Sequence, residues 1–312
     1  MDRYLFCSGA YDGKVNLYSA QRMELLVCYQ ITTLTLARNI NAVRFTSDGR
    51  RILAATTVRR LAVVDVESGD QMLAYDNCAF NGRDRTGLAT DPICPNMAVS
   101  VAVNGKGLTL LDLRMPLPLD FLYDLHGSTI RDVTFLDPSW PWARGHQSAL
   151  LSASGDGTCK VSTLDGRVLH VFQAGHHVNT VCPTPEPFNE AAEDGFNSVI
   201  MSGGDIVSAY VPDYGVKERL KEHREMPVWK LRYTSNGSLL YSVGEDGVLR
   251  RYRRYPDHHE YLGPVYQHRL DVQDLDISPY DEYIVTGSKD KTVGILRLGA
   301  PSHGCTEYSE LT

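Results

Sequence analysis

No run of apolar residues in this 312-residue chain approaches the ~18–20 that a membrane-spanning helix needs. The first residues, MDRYLFCSGAYDG, lack an apolar stretch of secretory-signal length and read directly as strand and turn. Seven cysteines form no CxxC pair, so redox and zinc-ribbon spacings are missing. Their odd number and their places in apolar runs predict buried thiols in an intracellular, reducing compartment, cytoplasmic and/or nuclear. Nor do basic residues dominate: 31 Lys and Arg against 38 Asp and Glu leave a net charge of −7. That balance argues against nucleic acid as a partner, because nucleic-acid binding rests on a basic surface. Catalytic signatures are absent as well. GSKDKT lacks the glycine of a phosphate-cradling loop, no helix follows NGKG, and there is no HExxH. His176-His177 and His258-His259 are adjacent pairs, and neighbours on a strand point to opposite faces, which disfavours chelation of one metal. The expectation is no enzyme, no metal, no cofactor and no membrane partner.

What the chain has is turn chemistry and recurrence. It carries 26 Gly and 15 Pro. A phrase made of a short apolar run, a tight polar turn and an alternating strand appears seven times. Its last register residues are Tyr18, Val64, Leu111, Ser162, Tyr210, Tyr252 and Leu296, spaced 42 to 51 residues apart. A second phrase, V-x-F-like, centres on Val43, Leu88, Val133, Val181, Leu231 and Leu275, with steps of 44 to 50 residues. Two independent markers share one period. Each unit holds four short runs of strand character joined by Gly, Asp, Asn, Ser and Pro; the Asp-Gly and Asn-Gly pairs tolerate the positive φ of a tight hairpin. Four strands per ~40–45 residues are the signature of a propeller blade. The only helix-like stretch, KERLKEHREM, falls where a strand and its outer loop belong.

The predicted fold is therefore all-β: one seven-bladed β-propeller of four-stranded antiparallel blades over 1–312. Blades are expected at about 1–30 (partial), 40–77, 86–125, 130–174, 178–222, 227–267 and 271–298 (partial), with 299–312 as a tail. The first copy begins at its second strand and the last supplies three strands. The missing two are expected upstream of Met1, in ~25–40 residues by the repeat length, with CTEYSE in the tail as an alternative patch for the last blade.

These residues resemble the WD-repeat β-propeller family over nearly the whole chain. The family unit runs from a Gly-His turn through V-x-x-V-x-F and a Ser/Thr strand to an Asp-bearing hairpin and a Trp-Asp end. His126, His176, His223 and His268 stand at the first position, Ser152, Ser202, Ser242 and Thr286 on the second strand. Asp12, Asp156, Asp205, Asp246 and Asp290 stand at the hairpin. No copy keeps the terminal Trp. The resemblance implies a buried hydrogen-bond network in His126-Ser152-Asp156, His223-Ser242-Asp246 and His268-Thr286-Asp290. Recurrence at the blade period marks these as structural sets rather than catalytic triads.

The resemblance also implies a partner-binding face at the starts of the innermost strands, which places Asn41, Arg131, Asn179, Trp229 and Gln273 there. Leu111-Asp112-Leu113-Arg114 is similar to the W-D-x-R ending of cullin-4 ubiquitin-ligase substrate receptors, in which Asp112 and Arg114 would meet the ligase adaptor. Independently of the resemblance, residues 217–254 hold ten basic and five acidic side chains. RRYRRY, with Arg250, Arg251, Arg253 and Arg254, is either a solvated face or a basic patch for RNA or an acidic peptide. The expected function is a non-catalytic scaffold for protein–protein interaction in an intracellular complex. Ligase receptor is the second reading, and RNA or acidic-peptide binding a remote one.

Overall fold

The computed structural model describes residues 4–31, 39–80, 87–140, 142–143, 145–146, 148–185, 199–211, 215–224, 226–298 and 307–311. They form seven antiparallel sheets, in chain order. Blade 1 contains β1 (Leu5–Gly9), β2 (Lys14–Ser19) and β3 (Glu24–Gln30). Blade 2 contains β4 (Ile40–Phe45), β5 (Arg51–Thr56), β6 (Leu61–Asp65) and β7 (Gln71–Tyr75). Blade 3 follows with β8 (Leu88–Thr90), β9 (Met97–Val101), β10 (Leu108–Asp112) and β11 (Asp120–Leu122). Blade 4 has β12 (Ile130–Leu136), β13 (Ala149–Ser154), β14 (Thr158–Thr163) and β15 (Val168–Gln173). Blade 5 has β16 (Val178–Pro183), β17 (Ile200–Gly204), β18 (Val207–Val211) and β19 (Gly215–Leu220). Blade 6 has β20 (Val228–Tyr233), β21 (Leu239–Gly244), β22 (Val248–Arg254) and β23 (His259–Gln267). Blade 7 has β24 (Val272–Ile277), β25 (Tyr283–Ser288), β26 (Val293–Arg297) and β27 (Glu307–Leu311).

The last sheet corrects the expectation of an incomplete final blade and takes the alternative, in which the tail patches it. Glu307–Leu311 pairs antiparallel with β26, from Arg297↔Glu307 to Val293↔Leu311. An outer strand left unpaired presents a row of open backbone groups, and this chain covers that row on β26 with its own tail. Among the described residues blade 1, in contrast, has three strands, and β1 is the innermost of them. KERLKEHREM begins inside strand β19, so its helical spacing yields to the sheet edge it lies on.

Seven apolar clusters hold the ring, each at the seam between consecutive blades. Val15, Leu17, Ile40 and Ile52 join blades 1 and 2, whereas Val178, Val181 and Ile200 pack on blade 4. Tyr283 and Ile295 of blade 7 meet Ala20, Tyr4 and Phe6 of blade 1. The central strands of a blade are buried on both faces because each blade is covered by its two neighbours, so β6, β10, β13 and β18 read as near-continuous apolar runs. Turn glycines fix the hairpins. Gly247 has φ +75°, and a Cβ there would lie 2.9 Å from the Leu270 carbonyl oxygen, so both the backbone and the space demand glycine.

Candidate interaction surface

The three predicted networks assemble in blades 4, 6 and 7. His126 Nε2 lies 2.8 Å from Ser152 Oγ, and its Nδ1 lies 3.2 Å from Asp156 Oδ2 and 3.1 Å from Thr158 Oγ1. His268 repeats this with Thr286 at 2.8 Å, Asp290 at 3.3 Å and Thr292 at 3.1 Å. A nitrogen facing a carboxylate carries the proton, which leaves Nε2 to accept from the hydroxyl. Burial pushes the His126 pKa down and outweighs the opposing pull of Asp156, so the ring is held neutral. Burial pushes the Asp156 carboxyl up, but hydrogen bonds from Thr158 and the Gly127 N–H win, and it titrates at about 2. In blade 6 His223 bonds Ser242 at 2.7 Å, and Arg250 joins the set, 2.6 Å from Asp246 and 3.2 Å from His223. Blade 5 departs from the pattern: His176 turns to the His177 carbonyl and Asp205 is exposed.

These networks clamp blades 4, 6 and 7 beside the starts of their inner strands, and at the inner-strand starts of blades 2, 4, 5, 6 and 7 the five proposed partner residues share one backbone feature. Register shifts separate Ile40 from Ala42, Ile130 from Asp132, Val178 from Thr180, Val228 from Lys230 and Val272 from Asp274. The skipped residues are Asn41, Arg131, Asn179, Trp229 and Gln273. A bulge places one residue outside the ladder and re-aims its side chain. Arg131 is exposed and the other four half-buried. Asn179 Nδ2 donates to the Val228 carbonyl of the next blade at 3.3 Å, which ties the rim together.

Two other predicted groups fare differently. Arg114 grips Asp112 bidentately, Nε to Oδ1 at 2.9 Å and Nη2 to Oδ2 at 2.6 Å, with the arginine side chain 68% exposed. The hydrogen bond from Arg114 holds the Asp112 carboxyl below its ordinary range. The four arginines of RRYRRY, in contrast, do not form one patch. Only Arg253 is exposed. Arg250 is internal to the blade-6 network, Arg251 and Arg254 are half-buried, and burial lowers the Arg254 pKa. β22 runs without a break against β21, so its alternation puts Arg250 and Arg254 on one face and Arg251 and Arg253 on the other.

Sequence reasoning missed the polar core of the channel. Lys230 Nζ donates to both Asp132 oxygens at 2.7 and 2.9 Å, with Thr180 Oγ1 donating to Asp132 at 2.8 Å. Lys230 and Asp132 are 4% and 6% exposed. Burial drops the lysine to about 8; burial pushes Asp132 up, and Lys230 pulls it below its ordinary value. Both sit at the third position of the V-x-x-V-x-F phrase, where a charge among otherwise internal positions was the available signal. Also missed was an exposed apolar strip on blade 3: Met115, Leu117, Leu119 and Tyr123. Among the described residues no cluster of three His, Cys, Asp or Glu is arranged to hold a metal, and no helix is long and apolar enough to cross a membrane.

The family model for the WD domain, G-beta repeat, matches residues 216–253 and 260–295, the first running from outer strand β19 of blade 5 through β22 of blade 6 and the second from outer strand β23 of blade 6 into β26 of blade 7. Those two stretches are WD repeats. The chain is 23% identical over 298 residues to the WD repeat-containing protein 55 homolog of Aedes aegypti, covering 94% of this chain and 57% of that protein. It is 23% identical over 175 residues to Protein HIR1 of Phaeosphaeria nodorum, covering 53% of this chain and 16% of that protein. The chain thus spans little more than half of the first relative and a small part of the second. Among solved structures, a chain in the crystal structure of the mitotic checkpoint complex superposes with a TM-score of 0.73 at 13% identity, covering 95% of this chain and 84% of that chain. That likeness is one of fold, in line with the seven sheets of this chain.

Proposed function

We propose that this protein is a non-catalytic WD-repeat scaffold that holds segments of other proteins in an intracellular complex, in the cytoplasm and/or nucleus. The observation that carries the reading is the coincidence of five bulged residues, Asn41, Arg131, Asn179, Trp229 and Gln273, on the starts of five inner strands. A rigid disc with side chains re-aimed at one rim suits peptide recognition, in which a few anchors carry most of the energy. Similarity to the WD-repeat family supports it by analogy of fold. The test is proximity labelling in cells followed by affinity purification, comparing the native chain with Arg131→Ala/Trp229→Ala. Loss of specific partners at an unchanged melting temperature supports the reading; an identical partner set refutes it.

A second reading rests on blade 3. The exposed, bidentately held Arg114 lies beside the apolar strip from Met115 to Tyr123, an arrangement that suits contact with a cullin-4 ligase adaptor. Arg114→Ala abolishes co-purification of the adaptor if this reading holds and leaves it untouched if Arg114 merely caps the turn.

A further inference from the structure

The two ends of the propeller differ in charge. In each four-stranded blade the hairpin between the second and third strands, and the link from the outer strand to the next blade, lie at the end where the inner strands start. The bulged residues lie there too; the remaining turns lie at the opposite end. Among the described residues, the turns and bulges of the first end expose eight cations and five acids, whereas the turns of the opposite end expose four cations and seven acids. A chain of net charge −7 thus gathers its positive surface on one face. The cations there are also open. Arg59, Lys106 and Lys291 stand on hairpins, Lys221, Arg224 and Arg269 on links, and Arg131 on the blade-4 bulge, all exposed. None of these seven forms an ion pair among the described residues; the eighth, Lys289, pairs with Asp271 at 2.8 Å. The acids are largely taken. Asp12 pairs with Lys14 and Asp76 with Arg60, and Asp156, Asp246 and Asp290 are half-buried in the histidine networks. Asp124, Asp205 and Glu245 alone are exposed there without an ion pair among the described residues. Two of the open cations are neighbours: the N–H groups of His126 and Ile130 donate to the Lys106 and Gly105 carbonyls at 2.9 and 2.7 Å, which seats the Lys106 hairpin against the start of β12, one residue before Arg131.

We propose that the end of the propeller that carries the bulged rim takes acidic segments of partner proteins, with Lys106 and Arg131 as principal cations. This inference rests on the reading of the rim as the partner-binding face and adds the charge class of what is bound. An acidic segment meets guanidinium and ammonium groups that have no carboxylate of their own, and the opposite end, richer in exposed acids, repels it, so the charge distribution both selects and orients the partner. Each exposed pair is weak by itself; selection arises from several cations acting together and weakens as salt screens them. A nucleic-acid strand fits the same face less well. Its phosphates need a continuous basic track, and here Asp124, Asp205 and Glu245 interrupt the cations on blades 3, 5 and 6, an arrangement suited to the discrete carboxylates of a peptide.

The probes are three labelled peptides of one length, in which Gly alternates with Glu, with Ser or with Lys. Fluorescence anisotropy on the full chain is expected to show saturable binding of the Gly-Glu peptide, roughly tenfold or more tighter than the Gly-Ser peptide, with the Gly-Lys peptide weakest. Added salt is expected to weaken it. Lys106→Glu/Arg131→Glu is expected to cost about tenfold or more in affinity at an unchanged melting temperature, since both side chains are exposed. Arg50→Glu/Arg167→Glu, the same change in charge at the opposite end, is expected to leave binding as it was. Absence of saturable binding, equal affinity for the three peptides, an equal loss from the two double variants, or tighter binding of an oligothymidylate of matched length overturns the proposal. Cross-linking of the partners captured in cells separates it from the reading beneath it. Partners that depend on Arg131 and Trp229 but dock through neutral or basic segments overturn the acidic preference and leave the scaffold standing; a partner set indifferent to both residues overturns the two together.

Discussion

Lys230 Nζ of blade 6 lies within 3 Å of both carboxylate oxygens of Asp132 in blade 4, a bond that passes over the intervening blade 5. Thr180 of that blade donates to the same carboxylate, so three inner strands share one buried anion. Removing one partner strands the other charge in the interior, which costs about 3–5 kcal/mol, whereas an apolar replacement of both is close to neutral. Lys230→Met and Asp132→Leu are each expected to lower stability by that amount. The double variant is expected to recover most of the loss, as measured by urea unfolding in a double-mutant cycle.

The histidine networks make stability depend on pH with a definite sign. Asp156 and Asp290 titrate at about 2 in the folded protein, below their ordinary 3.8, so their contribution is complete above that value and lost as pH falls toward 2. His126 is held below 6.5; the unfolded chain takes up this proton more readily, so acid weakens the fold here as well. Unfolding free energy is expected to decline as pH drops from 7, with Asp156→Asn flattening the lower part of the curve. Ser152→Ala leaves a buried ring nitrogen without its hydroxyl and is expected to cost about 1–3 kcal/mol.

Arg250 and Arg253, three residues apart on β22, are expected to respond in opposite ways. Arg250→Ala removes the 2.6 Å pair with Asp246 and the contact with His223, leaving the part-buried carboxylate with the Val248 N–H and His223 but without its guanidinium. A loss of about 2 kcal/mol or more follows. Arg253 is exposed, and Arg253→Ala is expected to stay within about 0.5 kcal/mol. Thermal melts of the two variants test this directly.

Thiol reactivity separates the cysteines. Burial pushes Cys7, Cys78 and Cys159 up to about 12, which leaves almost no thiolate at neutral pH. Cys28 is exposed on β3. Iodoacetamide mapping by mass spectrometry is expected to label Cys28 rapidly in the native protein and the other three only after unfolding. Rapid labelling of Cys159 would contradict its burial.

The ring itself was legible because a propeller writes its period into the chain twice, at Val43 and its counterparts and at Tyr18 and its counterparts. The histidine sets of blades 4, 6 and 7 were legible for the same reason. The closure was legible only as an alternative, with CTEYSE as a patch for the last blade, since EYSEL is a five-residue segment outside the repeat and its partner β26 is identified only by pairing. The apparent basic patch misled because alternate residues of β22 take opposite faces and the neighbouring blades cover much of both, leaving only Arg253 of the four exposed. A linear run of charge records neither bulges nor burial. The Asp132–Lys230 bond joins residues 98 positions apart, and neither flanking sequence marks its partner. The rim positions were carried by family resemblance alone; that they are bulged residues emerges only from the sheet register.

A residue set outside the ladder can be exchanged without shifting the strand behind it. Asn, Arg, Asn, Trp and Gln occupy equivalent bulges in five blades, while the β-branched residue just before each stays Ile or Val. The blade core and the displayed rim are therefore free to change at different rates. Substitutions at the rim retune what is recognised while the disc beneath it keeps its shape.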